Sequence, residues 1–243
     1  MKRLATGTLT LALAALVVTA ASAQQRPPAA SETRPGLGVL DFDIGATIGQ
    51  DADEYQALRR GLASMTINEL AANNQIRVVE RAQLQQILQE QNLGREGRVD
   101  PSTVSQIGRL IGARYMVTGT LYDVRGDVRI DARLFDTETG QILRTYRVNG
   151  RLDNVFDLVT SLSNQLLQNA SLPPLQRGAM DEHRQANPAP PTQAVMAYSR
   201  AVLYADRGDN ERAVEQYRRA LQVFPAYTQA KTDCNRLQAG ACA

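Results

Sequence analysis

The chain has 243 residues, 43% of which are hydrophobic, and it carries 27 Lys and Arg residues against 25 Asp and Glu residues. Two cysteines and one histidine are too few for a disulfide-rich scaffold or for a metal site built from a histidine cluster. The near balance of charge argues against a nucleic-acid-binding protein, and the apolar content suffices for one ordinary core and a small second one.

The N-terminus is typical of an export signal. Residues 1–3 bring two positive charges, residues 4–19 are mostly apolar, and residues 21–23 match the small-x-small cleavage pattern. We therefore expect a signal peptide over residues 1–23, cleaved before Gln24, and a mature protein in the periplasm. A transmembrane anchor is the alternative, but it needs roughly 20 apolar residues. A lipid anchor would need a cysteine directly after the cleavage point. Gln24 stands there instead, so we expect no lipid anchor.

A flexible lead-in is expected at residues 24–35, which contain three prolines. Over residues 36–171 the hydrophobic period changes several times between two and 3.6 residues, and this predicts an α/β domain of the α+β type. Its first half is predicted to contain a strand at 37–42, a helix ending near 73–74, a strand at 76–79, a short helix around 84–88 and a helix capped by Asp100 and Pro101.

The second half of this domain is predicted to be a three-stranded antiparallel meander, residues 115–151, with turns at 125–127 and 136–140. Apolar residues alternate with mostly charged ones in its central strand, so one face is expected to be buried. A helix over 153–169 has an apolar side and is expected to pack on that face. The predicted fold is thus a mixed sheet packed by helices.

A linker is predicted at residues 172–192, which hold half of the chain's prolines, so a domain boundary falls there. Beyond it, residues 193–207 and 211–224 are predicted to be helices, and Pro225 ends the second. A capping helix over 226–238 would complete a small all-α unit at residues 193–240.

Several ordered sequence blocks of the α/β domain resemble the curli-secretion (CsgG-like) family. The blocks are Val39-Leu40-Asp41-Phe42, Val78-Val79-Glu80-Arg81, Ile87-Leu88-Gln89-Glu90-Gln91, Leu110-Ile111-Gly112-Ala113, Val117-Thr118-Gly119 and Arg133-Leu134-Phe135-Asp136-Thr137-Glu138-Thr139-Gly140. The resemblance implies a protein of the bacterial envelope, and the related N-terminal domain of TolB-like proteins shares much of the fold.

These blocks have the composition of a scaffold. A carboxylate at a helix N-terminus is favourable, so Glu80-Arg81 is expected either to cap the following helix or to pair with a neighbour. No nucleophile, base and orienting group can be assembled around His183, the single histidine, which falls in the predicted linker. We therefore expect no enzymatic activity, no catalytic residue, no metal and no cofactor.

The channel-forming members of that family insert long amphipathic hairpins and carry a polar-aromatic constriction loop after the first strand. Here three residues join Val124 to Val128, and residues 43–50 contain no aromatic side chain. The resemblance therefore implies a periplasmic relative without a pore. A subunit of a curli-type outer-membrane secretion channel complex is the alternative.

The C-terminal helix pair resembles a tetratricopeptide repeat (TPR). The matching residues are Ala201, Tyr204, Gly208, Ala213, Tyr217, Ala220 and Pro225, whereas Ala197 and Arg200 depart from the usual Trp and Leu. A lone repeat cannot bury its own faces, so we expect it to dock on the first domain, another subunit or a partner. Stiffening of the terminus alone is the other interpretation. Because aromatic side chains concentrate binding energy, the expected partner-binding residues are Tyr198, Tyr204, Tyr217 and Tyr227.

Two cysteines lie eight residues apart in a chain predicted to reach an oxidising compartment. Either Cys234 and Cys242 form a disulfide that pins the last residues to the capping helix, or both stay free thiols in a frayed tail. Both states are open at this point.

The functional hypothesis is a non-enzymatic periplasmic scaffold or adaptor in envelope assembly or secretion, associated with the outer membrane. Its expected partners are envelope or secretion proteins, or a second copy of the chain, and not nucleic acid.

Overall fold

The computed structural model of the chain describes residues 34–48, 52–91, 100–169 and 171–242. Six strands and eight α-helices lie within these residues, which confirms the predicted α/β fold class. The predicted export signal and all but two residues of the predicted lead-in lie outside the described residues.

One mixed sheet contains all of the described strands. They are β1 (Gly36–Val39), β2 (Asp43–Ile48), β3 (Arg77–Val78), β4 (Tyr115–Val124), β5 (Asp127–Asp136) and β6 (Ile142–Arg151). The strand order is β3-β1-β4-β5-β6, with β2 also paired to β4. Pairs among the first four strands are parallel, and β4, β5 and β6 form the predicted antiparallel meander.

The helices alternate with the strands in the first half of the chain and follow them in the second. They are α1 (Ala52–Leu70), α2 (Arg81–Glu90), α3 (Pro101–Leu110), α4 (Val155–Leu167), α5 (Ala179–Ala186), α6 (Thr192–Asp206), α7 (Asn210–Val223) and α8 (Thr228–Leu237). A 3-10 turn at Leu152–Asn154 leads into α4. Helix α5 lies inside the segment predicted to be a linker.

Two local predictions are confirmed by backbone geometry. The Asp100 carboxylate accepts hydrogen bonds from the backbone N–H groups of Ser102 and Thr103, at 2.9 and 3.2 Å, and so caps α3. The β4–β5 hairpin turns at Arg125 and Gly126, which both have positive φ angles, of 55° and 86°. This matches the two-residue turns whose twist suits antiparallel strands.

Two apolar clusters cover opposite faces of the sheet. The larger one lies between the sheet and helices α1 and α4, and it continues without a break into α6, α7 and α8. The smaller one lies under α2 and α3, where Leu84, Val104 and Ile107 pack with Met116 and Phe135 of the sheet. The two faces therefore use alternate residues of β4 and β5.

Helix α6 packs directly against α1. Gly61 of α1 faces Ser199 of α6, and a Cβ atom placed at Gly61 would lie 2.7 Å from the Cβ of Ser199. The missing side chain thus allows the two helices to approach closely. All described residues fall in one compact unit. The domain boundary at residues 172–192 stays a prediction.

Candidate partner-binding surfaces

Three of the four tyrosines expected to bind a partner lie in the interior. Tyr198 has 0% exposure, and Tyr217 and Tyr227 have 3% and 4%. The ring centroids of Tyr217 and Tyr227 lie 5.8 and 5.1 Å from that of Tyr198. The structure corrects the expectation for these three residues, because they fill the space among α6, α7 and α8 and offer no surface to a partner.

Tyr204, the fourth of these residues, is partly exposed. The guanidinium of Arg212 lies 4.8 Å from the centre of its ring, a cation–π contact between α6 and α7. Of the predicted partner-binding residues, Tyr204 is the one that the folded chain presents to solvent.

The buried tyrosines surround a carboxylate. The Tyr198 hydroxyl donates a hydrogen bond of 2.9 Å to Oδ2 of Asp233, on α8. Burial raises the pKa of Tyr198 and of Tyr227 well above the ordinary value, and the nearby Asp233 raises both further. Burial also raises the pKa of Asp233, although Tyr198 and Arg236 act in the opposite direction. These groups thus belong to the packing of the helices.

The two cysteines form a disulfide in the structure. Cys234 and Cys242 have an S–S distance of 2.09 Å and a Cα–Cα distance of 6.0 Å. The Arg218 side chain, on α7, also donates a hydrogen bond of 2.9 Å to the carbonyl of Ala241. The last described residues are thereby tied to both α7 and α8.

A cluster of ion pairs joins the α/β part of the fold to α6. Arg81, at the start of α2, donates hydrogen bonds of 2.7 and 2.6 Å to the two carboxylate oxygens of Asp206, at the end of α6. The same guanidinium bonds Oδ1 of Asp41 at 2.8 Å, and Arg60 of α1 bonds Asp206 at 3.1 Å. The side chains of two arginines and two aspartates therefore form one largely buried cluster.

The opposite charges in this cluster stabilise one another in the ionised form. Burial acts to lower the pKa of Arg81, but Asp41 and Asp206 outweigh it and raise that pKa above its ordinary value. Burial lowers the pKa of Arg60, against the opposing effect of the same two carboxylates. Because each guanidinium has carboxylate partners, the arrangement pairs these buried charges within the fold.

The neighbouring Glu80 has the second of its two expected roles. It precedes α2, but its side chain makes no capping hydrogen bond. Instead, its carboxylate lies 3.5 Å from the guanidinium of Arg236, on α8. Glu80-Arg81 is thus a pairing motif, and both residues contact the C-terminal helices.

Part of one sheet face carries polar side chains beyond the area that α2 and α3 cover. The guanidinium of Arg129 lies 4.2 Å from the ring centre of Tyr122. Asp131 pairs with Arg129 at 3.1 Å and with Arg147 at 2.8 Å. The face therefore carries paired charges and an aromatic ring, and it is the second candidate surface for a protein partner.

Two searches of the described residues bear on other classes of function. No group of three or more His, Cys, Asp or Glu side chains in the described segments is placed to hold a metal ion. Among the helices described, none combines the length and the apolar character needed to cross a membrane.

Residues 17–126 match the family model of the curli production assembly/transport component CsgG. The match starts inside the predicted export signal and ends at the β4–β5 turn. It therefore includes the two blocks that supply Asp41 and Arg81 to the ion-pair cluster. A comparison with curated proteins finds no match.

Two bacterial proteins are among the solved structures that match this chain. The LpoB C-terminal domain from Salmonella enterica is 20% identical, with 48% of this chain and 82% of that chain covered and a TM-score of 0.38. The lipoprotein GNA1162 from Neisseria meningitidis is 16% identical, with 56% and 98% covered and a TM-score of 0.39. Similarities of this size carry no functional argument.

The expected relationship to TolB gains no support from the solved structures. TolB from Acinetobacter baumannii is 12% identical to this chain, with a TM-score of 0.30. The alignment covers 65% of this chain and 30% of that chain.

Proposed function

We propose that the protein is a non-enzymatic scaffold or adaptor of the bacterial envelope, which acts in assembly or secretion by binding other proteins. The observation that carries the proposal is the match of residues 17–126 to the curli assembly and transport family model. The charges of Arg60, Arg81, Asp41 and Asp206 are paired within the fold, which fits a stabilising role for these four residues and not a catalytic one.

The proposed location is the periplasm, associated with the outer membrane. The support is the leader-like composition of residues 1–23, with cleavage before Gln24, together with the family match. Osmotic-shock fractionation of cells that express the full chain tests this. We expect the processed protein in the shock fluid without detergent, with the N-terminal sequence beginning at Gln24.

Two surfaces are proposed to bind the partner: the polar sheet face around Tyr122 and Arg129, and the exposed side of α6 and α7 around Tyr204. The second is the surface of the proposed TPR. Both combine an aromatic ring with a guanidinium, and this composition is common where proteins bind one another. Binding by a second copy of the chain is part of the proposal.

A site-specific photo-crosslinking experiment separates the two surfaces. The residues Tyr122 and Tyr204 are replaced one at a time by p-benzoylphenylalanine, and exposed Gln106 on α3 serves as the control position. In living cells we expect a discrete cross-linked species from at least one of the two tyrosine positions and none from the control. The same weak smear from all three positions would count against the proposed surfaces.

The alternative function is a subunit of a curli-type outer-membrane secretion channel complex. The family description, which includes transport, is the observation that favours it. Fractionation also decides here, because a channel subunit would sediment with the membrane and need detergent for release. Light scattering on the purified chain adds a second test, since a ring-sized particle favours the channel complex and a monomer favours the adaptor.

A further inference from the structure

A polar groove runs along the solvent side of α4. Its volume is about 570 Å³, and its opposite wall is formed by α5 and the residues that follow it. The lining residues of α4 and its C-cap extend from Phe156 to Gln168, a distance of about 18 Å at 1.5 Å per residue. The groove therefore follows most of the length of α4, and it lies away from both surfaces proposed above.

The groove contains buried polar atoms without partners. The side chain of Glu69, on α1, is 2% exposed, and its Oε2 atom has no hydrogen-bond partner in the described structure. Its Oε1 atom lies 3.4 Å from Nε2 of His183, and this ring nitrogen also has no hydrogen-bond partner among the described residues. The hydroxyl of Thr160, also buried, lacks a partner as well. Native proteins seldom leave such atoms unpaired, so these point to a donor supplied from outside.

The remaining lining has a distinct chemistry. Besides the charged Asp157 and Arg184, amide side chains recur along the groove, from Asn164 and Gln165 on α4, from Gln168 just after α4 and from Asn187 opposite. An amide side chain can both donate and accept, as a peptide group does. A row of amides therefore suits an extended peptide, whose backbone presents N–H and C=O groups in alternation.

We propose that this groove binds an extended segment of a partner protein, with a Lys or Arg side chain that reaches Glu69. This inference rests on the proposed function, because it specifies the kind of partner that an adaptor would bind. A buried carboxylate with a free oxygen is a suitable acceptor for a cationic N–H donor, and such charge-assisted bonds are stronger than neutral ones. At about 3.3 Å per residue, some five extended residues would occupy the 18 Å length.

A titration with short peptides tests the inference on the purified full-length chain after signal cleavage. The probe is a fluorescein-labelled pentapeptide, Gly-Ala-Lys-Ala-Gly, and its partner probe has norleucine in place of Lys. By fluorescence anisotropy we expect the Lys peptide to bind at least about tenfold more tightly, since a charge-assisted bond is made by Lys only. The Glu69→Gln variant should bind the two peptides equally.

Two further variants keep the test decisive if Glu69→Gln folds poorly. The double variant Asn164→Ala with Gln168→Ala changes only the groove wall, and it should weaken binding of both peptides about tenfold. Gln106→Ala, at an exposed position of α3, is the matched control and should bind as the unaltered chain does. Circular dichroism verifies that each variant is folded.

The single histidine provides an independent measurement of peptide binding, by proton NMR. Because His183 is the only one in the chain, its imidazole signals in a proton NMR spectrum are unambiguous once any purification tag is removed. The Lys peptide should shift these signals, and the norleucine peptide should shift them less.

Three results would overturn the inference. They are that neither peptide binds, that both peptides bind alike to the unaltered chain, or that a sugar oligomer used as a comparison probe, chitotetraose, shifts the His183 signals and the peptides do not. Those failures leave the crosslinking and fractionation results untouched, so they are distinguishable from failure of the proposed function.

Discussion

At the residue scale, the guanidinium of Arg81 holds two carboxylates that come from distant parts of the chain. Asp41 lies 40 residues before it and Asp206 lies 125 residues after it. The sequence indicated that Glu80-Arg81 would cap a helix or pair with a neighbour, but spacing along the chain cannot identify a partner so far away. The same limit applies to Tyr198, Tyr217 and Tyr227, because burial depends on where α8 packs.

We expect the substitution Arg81→Met to lower the free energy of unfolding by about 3 kcal/mol, because it leaves two half-buried carboxylates without their main partner. The matched control is Arg151→Met, which removes the exposed pair with Asp127 and should cost no more than about 1 kcal/mol. Urea denaturation followed by circular dichroism measures both. Equal midpoints for the two variants would show that the cluster contributes no more than a surface pair.

A second prediction concerns pH and Asp233. Burial raises the pKa of Asp233 in the folded state, so the folded protein binds this proton more tightly than the unfolded chain does. Stability from this group is therefore present at low pH and is lost as the pH rises from the ordinary carboxyl pKa through the raised one. Asp233→Asn stays neutral throughout, and its amide oxygen can still accept the Tyr198 hydrogen bond.

Relative to Asp233→Asn, we expect the unaltered protein to be less stable at pH 7 and to recover as the pH falls toward about 4. Urea denaturation of both proteins across this range provides the comparison. A difference in unfolding free energy that is constant with pH would contradict the prediction.

At the element scale, the sequence predicts best where periodicity and end signals coincide. The meander, the capped helix α3 and the helices α6 and α7 all lie within one or two residues of their predicted positions. Strand β2 was not predicted, because its sequence of small and polar residues lacks a buried run, and it forms through parallel pairing with the distant β4. Helix α5 was missed because prolines on both sides indicated a linker.

The contact between α1 and α6 gives a prediction for Gly61. Gly61→Ala should lower the free energy of unfolding by about 1 to 3 kcal/mol, because the new Cβ collides with Ser199. This loss exceeds the gain of up to about 1 kcal/mol expected from better helix propensity. Thermal denaturation of the single variant and of Gly61→Ala with Ser199→Gly measures it. The second substitution should restore part of the loss, and an unchanged or raised melting temperature for Gly61→Ala alone would rule out the close contact.

At the scale of the whole molecule, the C-terminal helices belong to the same apolar core as the sheet. Helix α6 contributes Ala194, Val195, Tyr198 and Ala201 to the cluster that also contains Leu58 and Leu62 of α1. The sequence predicted that the helix pair must dock somewhere, since a lone repeat cannot bury its faces. It could not indicate α1 as the place, because that depends on Gly61 and on charges far apart in the chain.

Removal of residues 191–243 should therefore abolish cooperative unfolding of the remaining chain. The deletion uncovers the apolar side of α1, which favours aggregation, and it removes the Asp206 partner of Arg81, which takes away a stabilising ion pair. Circular dichroism melting curves and light scattering at equal concentrations provide the measurement. Tyr204→Ala in the full chain is the control and should keep a sharp transition. A truncated chain that melts as sharply as this control, at the same temperature, would show that the α/β part folds without the helices.

The ion-pair cluster also constrains how such a protein could be shortened or recombined. The α/β part supplies two cations, Arg60 and Arg81, but only one of the two anions, Asp41; the other arrives with α6. Without the helices, both guanidinium groups would face solvent with one carboxylate between them, and the extra positive charge would be hydrated. A foreign helix pair grafted there would bury both guanidinium groups again, so it would need an acidic residue of its own at the position of Asp206.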